Sequence, residues 1–266
     1  ENVYLDLTLW NHAQRVAHGT DWSFTIFVAD SSVDRDGEFR DEHSAYVPYL
    51  GGPYMMMTYK NGGWGIGEMG MVTAHETGHI FFAMDEYAKS GQTYSERSGY
   101  YNTQNSNAIL GHPNPAARVN SLMADSLVPA YANHTSSPSS LEMVGWKDSD
   151  RDGIFDVLDV PLILTGTGSY DSQSGRFNFT GNSSVGLLPN QNPQGVSLCG
   201  QNHAISLNRV DVLQFRLDGG SWTDGSTYGG ASVAVSQSVP VGAGRHTIEF
   251  RTLSRSNGVV SPVWSQ

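Results

Sequence analysis

The chain has 266 residues, enough for two domains of which one can bury a sizeable core. Fifteen basic residues against 26 acidic ones leave a net charge of −11, which excludes the concentrated Lys/Arg surface that a nucleic-acid partner requires. Charged residues make up only 15% of the chain while glycine reaches 30, a balance that points to turn-rich β structure. The single cysteine, Cys199, rules out an intrachain disulfide and leaves bound metal as the next stabiliser to look for.

Apolar residues at Leu5, Leu9, Ala13, Val16 and Ala17 recur at helical spacing, and Trp22–Ala29 follows as a strand with Phe24, Ile26 and Val28 on one face. Tyr54–Tyr59 is a second strand. A glycine-rich loop at Asn61–Gly70 leads into Met71–Phe82, which has the length and pattern of a buried helix, and Ser139–Trp146 is a further helix. From Pro161 onward the pattern changes to short alternating strands at Leu162–Thr165, Arg176–Phe179, Val210–Leu217, Ser232–Val235 and His246–Leu253, separated by turn clusters such as Asp218-Gly219-Gly220. The expected organisation is therefore an α+β domain over 1–147, a loop over 148–160 and an all-β antiparallel sandwich over 161–266. No apolar run approaches the roughly 18–20 residues that span a bilayer. The start at Glu1, with neither methionine nor an apolar leader, leads us to expect a processed or excised form of a secreted or cell-surface protein. Nothing in the sequence sets an oligomeric state.

His75-Glu76-Thr77-Gly78-His79 is an H-E-x-x-H motif on the Met71–Phe82 helix. Its spacing puts both imidazoles on one face, where two neutral nitrogens can hold one Zn²⁺, and it sets Glu76 where a carboxylate can take a proton from water and pass it to a leaving amine. The plainer reading is a helix with two hydrogen-bonded core histidines. A catalytic zinc needs a third protein ligand, and Asp85 stands six residues after His79, the position of the last ligand in the extended metzincin motif. Asn120-Ser121-Leu122-Met123-Ala124-Asp125 looks like the Met-turn of that family; read alone, Met123 is an ordinary core methionine.

On these residues the stretch from about 20 to 146 resembles metzincin-type zinc endopeptidases, and Asp85-Glu86-Tyr87 resembles bacterial relatives of the IgA-cleaving metallopeptidases. The resemblance implies a prokaryotic hydrolase that acts on protein or peptide substrates, with His75, His79 and Asp85 as zinc ligands and Glu76 as general base. Phe82 departs from the pattern, standing where metzincins carry a turning glycine, so the helix is expected to end at Ala83 or beyond, with Glu86 as the alternative ligand. Tyr87, Tyr100 and Tyr101 are either packing residues or a phenol that stabilises an oxyanion. Tyr54–Tyr59 is the expected edge on which an extended peptide lies, with Gly62, Gly63, Gly65 and Gly67 allowing close backbone approach.

A second signal runs from Asp148 to Asp159. Asp148, Asp150, Asp152, Asp156 and Asp159 fall at positions 1, 3, 5, 9 and 12 of an EF-hand-like loop, with Gly153 at 6 and the Ile154 carbonyl at 7. These six residues are the expected ligands of a structural Ca²⁺, and the loop resembles calcium-binding linkers of secreted microbial proteins. Asp30, Asp34, Asp36, Glu38 and Asp41 form a weaker cluster that reads equally as a solvated loop. The strand-rich half looks like an immunoglobulin-like or fibronectin type III-like accessory domain, in which His203 and His246 are isolated polar positions and Cys199 a small buried residue. The competing class is a non-catalytic, calcium-stabilised binding or adhesion module with an accidental or decayed H-E-x-x-H. The joint presence of Glu76, Asp85 and Met123 after the two histidines favours the enzyme.

Overall fold

The computed structural model describes residues 2–20, 22–33, 35, 37–39, 46–193, 204 and 207–266. It is mixed α/β with mostly antiparallel sheets, and no described helix is long and apolar enough to cross a membrane. Two compact units divide the chain: Glu1–Trp146 with Asn190–His203, and Lys147–Pro189 with Ala204–Gln266. The Asp148–Asp159 loop is thus part of the second unit, not a separate linker. Its backbone explains why: Leu207 N, Asn257 Nδ2 and Asn208 Nδ2 donate to the carbonyls of Val157, Leu158 and Val160 at 3.3, 2.6 and 3.0 Å.

In the first unit, helix α1 (Val3–His18) starts where Asn2 Oδ1 accepts from Leu5 N and stops at Gly19, whose φ of 61° makes a left-handed cap. The helix lies at the expected place, but Leu5, Leu9, Ala13, Val16 and Ala17 are exposed. It is anchored by polar groups: Asn11 is buried, donates to Pro53 O at 2.9 Å and accepts from Thr25 Oγ1 at 2.9 Å. Strands β1 (Thr25–Ala29), β2 (Tyr46–Pro48) and β3 (Tyr54–Thr58) form a sheet in the order β1-β3-β2, with β1 parallel and β2 antiparallel to β3. A central strand is covered on both faces, which accounts for the unbroken apolar run Tyr54-Met55-Met56-Met57. On it packs α2 (Met69–Ile80), whose Met71, Val72 and Ile80 share a core with Met55 and Met57. The short β4 (Arg97–Ser98) pairs with β5 (Thr103–Gln104), and helices α3 (Leu127–Ala132) and α4 (Pro138–Met143) complete the unit.

In the second unit, β6 (Leu162–Asp171), β7 (Arg176–Val185) and β10 (Ser232–Pro240) form one antiparallel sheet in the order β10-β7-β6. The other contains β8 (Val210–Leu217), β9 (Thr223–Gly230), β11 (Ile248–Leu253) and β12 (Trp264–Ser265) in the order β12-β11-β8-β9. Phe177, Phe179, Val235 and Val239 from one sheet meet Leu213, Ile248 and Phe250 from the other. Phe179 stacks on Phe250 at 4.4 Å between ring centroids, with Trp264 edge-on at 4.8 Å. At the β8–β9 hairpin, Asp218 and Gly219 take φ of 51° and 69°, the primed-turn geometry expected of Asp-Gly.

Candidate metal centre

Helix α2 carries His75, Glu76 and His79 inward, all buried. Each histidine is oriented through its other nitrogen: His75 Nδ1 lies 2.7 Å from Leu122 O, and His79 Nδ1 lies 2.8 Å from Ala83 O. Donation to these carbonyls fixes the tautomer that leaves both Nε2 atoms as acceptors. The helix ends earlier than expected. Phe81 N and Ala83 N both donate to Gly78 O, Phe82 N donates to His79 O, and Phe82 itself adopts the left-handed conformation, with φ of 66°. A phenylalanine thus makes the turn expected of a glycine.

The reversal brings Asp85 Oδ1 to 3.2 Å from His75 Nε2 and 3.3 Å from His79 Nε2. Glu86 does not share the site. Its carboxylate is fully buried among Ser137, Ser140 and Asn107, so the alternative ligand assignment fails on direction. Asp85 Oδ1 is buried and has no hydrogen-bond partner. Two nitrogens and this one oxygen fit zinc: arms of about 2.0–2.1 Å in a tetrahedron set ligand atoms about 3.3 Å apart. Met123 is buried with Ala83, Met84 and Met143. Gly78 lets Met123 pack against the helix, since a Cβ there would meet Met123 Sδ at 2.8 Å and displace the end of that side chain.

Charges follow from this packing. Burial pulls the His75 imidazolium down, but the Asp85 carboxylate, the charge of Glu76 and the Leu122 carbonyl outweigh it and hold the group above its ordinary range. Burial pushes Asp85 up, and the two imidazoles outweigh it, holding the carboxyl well below the usual carboxylate range. Glu76 is raised by burial against the pull of both histidines; its Oε1 lies 3.9 Å from His75 Nε2. The Tyr87 phenol is raised by burial and by the adjacent Asp85, and its ring lies 6.3 Å from that of His75. Tyr46, on β2, is raised by burial and by Glu76. Nothing local in the sequence marked Tyr46. Tyr100 and Tyr101 instead pack edge-on against each other at 5.3 Å.

The expectation that β3 offers a peptide-binding edge is overturned, because β3 is hydrogen-bonded on both sides. The outer strands are β1 and β2, and β2 carries Tyr46. At Gly63, Gly65 and Gly67 a side chain would meet open space, which agrees with an accessible loop.

In the second unit the carboxylates of Asp148, Asp150 and Asp152 converge, with ligand atoms within 4.8 Å of one another. Asp148 also accepts from Arg151 N at 2.7 Å and Gly153 N at 3.0 Å, and Asp152 Oδ1 accepts from Ile154 N at 2.8 Å. Asp156 is turned to Ser149, accepting from its N at 2.8 Å and its Oγ at 2.7 Å. Asp159 is raised by burial and by the charges of the other four aspartates, and it is not in the close group. His246 is not isolated, since its Nδ1 lies 2.8 Å from Asp218 Oδ2. In the weaker acidic cluster, Asp30 accepts from Ser32 N in a local turn. Asp34, Asp36, Asp41, Cys199 and His203 lie outside the described residues. No family model matches the chain, and comparison with curated proteins and with solved structures likewise finds no match.

Proposed function

We propose that the chain is a secreted zinc-dependent endopeptidase of metzincin type, with a calcium-stabilised, immunoglobulin- or fibronectin III-like accessory domain. The observation that carries the reading is the orphaned Asp85 Oδ1, 3.2 and 3.3 Å from two imidazole nitrogens that their own hydrogen bonds leave free. His75, His79 and Asp85 would hold the ion. Zinc, when bound, supplies Lewis acidity toward a peptide carbonyl and brings the acidity of water near neutrality. Glu76 takes a proton from the attacking water and returns it to the departing amine, from a carboxylate whose Oε1 lies 3.9 Å from His75 Nε2. Tyr87, whose ring lies 6.3 Å from that of His75, and Tyr46 are the phenols we assign as hydrogen-bond donors to the charge that develops on the substrate oxygen. An extended peptide is assigned to β2, an outer strand of the sheet among the described residues.

The support for calcium is the spacing of the Asp148–Asp159 loop together with the convergence of Asp148, Asp150 and Asp152. The test of the catalytic reading is hydrolysis of a casein-like substrate by the full chain. Wild-type protein should be inactivated by chelation and restored by zinc. Glu76→Gln should keep one zinc per chain and lose about 10²–10⁴-fold in rate. Wild-type protein that binds zinc and hydrolyses nothing would leave the non-catalytic binding module as the better reading.

A further inference from the structure

Glu86 is a fully buried carboxylate with no part in the reaction described above. Such a group is costly to bury unless donors surround it, and here they do. Ser137 Oγ donates to Oε1, as does Ser140 Oγ at 2.8 Å, and Asn107 Nδ2 donates to Oε2 at 2.6 Å. The main chain of Glu86 is held as firmly. Its N donates to Met123 O at 2.8 Å, and its O accepts from Ile109 N at 3.0 Å and Arg118 Nη2 at 3.0 Å. Four separate stretches of chain, around residues 107–109, 118, 123 and 137–140, therefore converge on one residue.

Two links run from Glu86 to the proposed metal centre. Glu86 follows Asp85 directly, so whatever fixes the Glu86 side chain fixes the direction in which Asp85 leaves the backbone; Asn105 Nδ2, donating to Asp85 O at 2.8 Å, holds the same peptide. Met123 follows Leu122, whose carbonyl orients His75. The bond from Glu86 N to Met123 O joins the segment that supplies one ligand to the segment that aims another.

We propose that Glu86 is a positioning residue of the metal centre: its serine- and asparagine-held carboxylate locks the Asp85 segment and the Leu122–Met123 turn in the relative placement that brings Asp85 and His75 to one ion. This inference rests on the zinc-site reading of His75, His79 and Asp85. A purely apolar residue would fill the space but specify no direction, whereas a fully satisfied buried network permits one arrangement.

The experiment measures zinc dissociation constants by chelator competition and the visible spectrum of the cobalt-loaded full chain, with metal-free melting as a separate readout of fold stability. Glu86→Ala should weaken zinc binding by about 10–100-fold, the effect typical of groups that orient ligands, and should change the cobalt spectrum. Glu86→Gln, which keeps shape and an acceptor oxygen, should recover affinity to within about threefold and restore the spectrum. If Glu86→Ala does not fold, Ser137→Ala combined with Ser140→Ala decides, with the same direction expected. Variants that melt lower but keep wild-type zinc affinity and spectrum would overturn the proposal and make Glu86 a structural residue alone. His75→Ala is the reference: if wild-type protein binds no zinc, or His75→Ala binds it as well, the zinc-site reading has failed, and the proposal falls with it.

Discussion

Replacing Asp85 with asparagine tests the metal centre most directly, because it preserves shape and removes only the charged donor. In the structure that oxygen is shared between His75 and His79 at 3.2 and 3.3 Å. Zinc bound by four protein ligands in a small domain is worth roughly 10–16 kcal/mol, or about 3 kcal/mol per ligand, so Asp85→Asn should raise the zinc dissociation constant by about 10²-fold. At a fixed free zinc concentration above both dissociation constants, that change removes about 2.7 kcal/mol of ligand-linked stability. For a unit of this size the midpoint should fall by about 5–10 °C. Chelator competition reads the first number and a melting curve at buffered zinc reads the second. Chelated wild-type and variant proteins serve as controls, separating loss of metal from loss of packing. The reasoning is refuted if Asp85→Asn binds zinc within threefold of wild type while His75→Ala does not.

Three further outcomes are expected. Melting of the second unit should fall when calcium is selectively removed with zinc retained, and Asp150→Ala should mimic that loss, whereas a curve indifferent to calcium would remove the site. The His246–Asp218 pair should make folding pH-dependent: the His246 pKa is raised chiefly by its hydrogen bond to Asp218, and that of Asp218 is lowered by the same bond. The histidine contribution is therefore present below the unfolded histidine pKa and lost as pH rises through the raised folded value. The aspartate contribution is present above the ordinary carboxylate pKa and lost as pH falls through the depressed one. Stability from the pair should peak between these limits, and His246→Gln should flatten the profile measured by denaturant titration. Phe179→Ala, which removes the ring between Phe250 and Trp264, should destabilise the second unit by about 3–5 kcal/mol; zinc affinity unchanged in the same variant would show that the first unit is spared.

What could be read from sequence was what depends on neighbours along the chain. The two-residue rhythm located most of the strands of the second unit, yet β6 and β7 run to Asp171 and Val185, well past the expected ends at Thr165 and Phe179. Their continuations, Gly166-Thr167-Gly168-Ser169 and Thr180-Gly181-Asn182-Ser183, have little strand character of their own and are held by pairing in continuous register, Gly166 opposite Gly181. Strand β9, Thr-Asp-Gly-Ser-Thr-Tyr-Gly-Gly, went unseen for the same reason. The apolar stripe on α1 gave the helix but the wrong face, since a buried asparagine with two long-range hydrogen bonds outweighed it. The three residues proposed to hold zinc sit within eleven positions, so spacing along the chain suffices to nominate them. The surroundings of Glu86 could not be found that way, because Ser137 is 51 residues distant and nothing local marks it as a partner.

Phe82 shows how a residue other than glycine can make a left-handed turn at the end of a helix. A non-glycine residue in the left-handed region costs about 1–2 kcal/mol, and that cost is the reason for expecting α2 to continue. The turn adds hydrogen bonds to the last carbonyls of the helix: Ala83 N joins Phe81 N in donating to Gly78 O, and Phe82 N joins Gly51 N in donating to His79 O. The Phe82 ring then lies directly over Gly51, which has φ of 84° and no room for a Cβ. Glycine is still required at this turn, but 31 positions earlier in the chain and on the opposing loop, where it admits the ring that holds the strained residue in place. The aromatic side chain supplies packing that offsets the backbone cost, and three residues later Asp85 Oδ1 lies 3.2 and 3.3 Å from the two imidazole nitrogens.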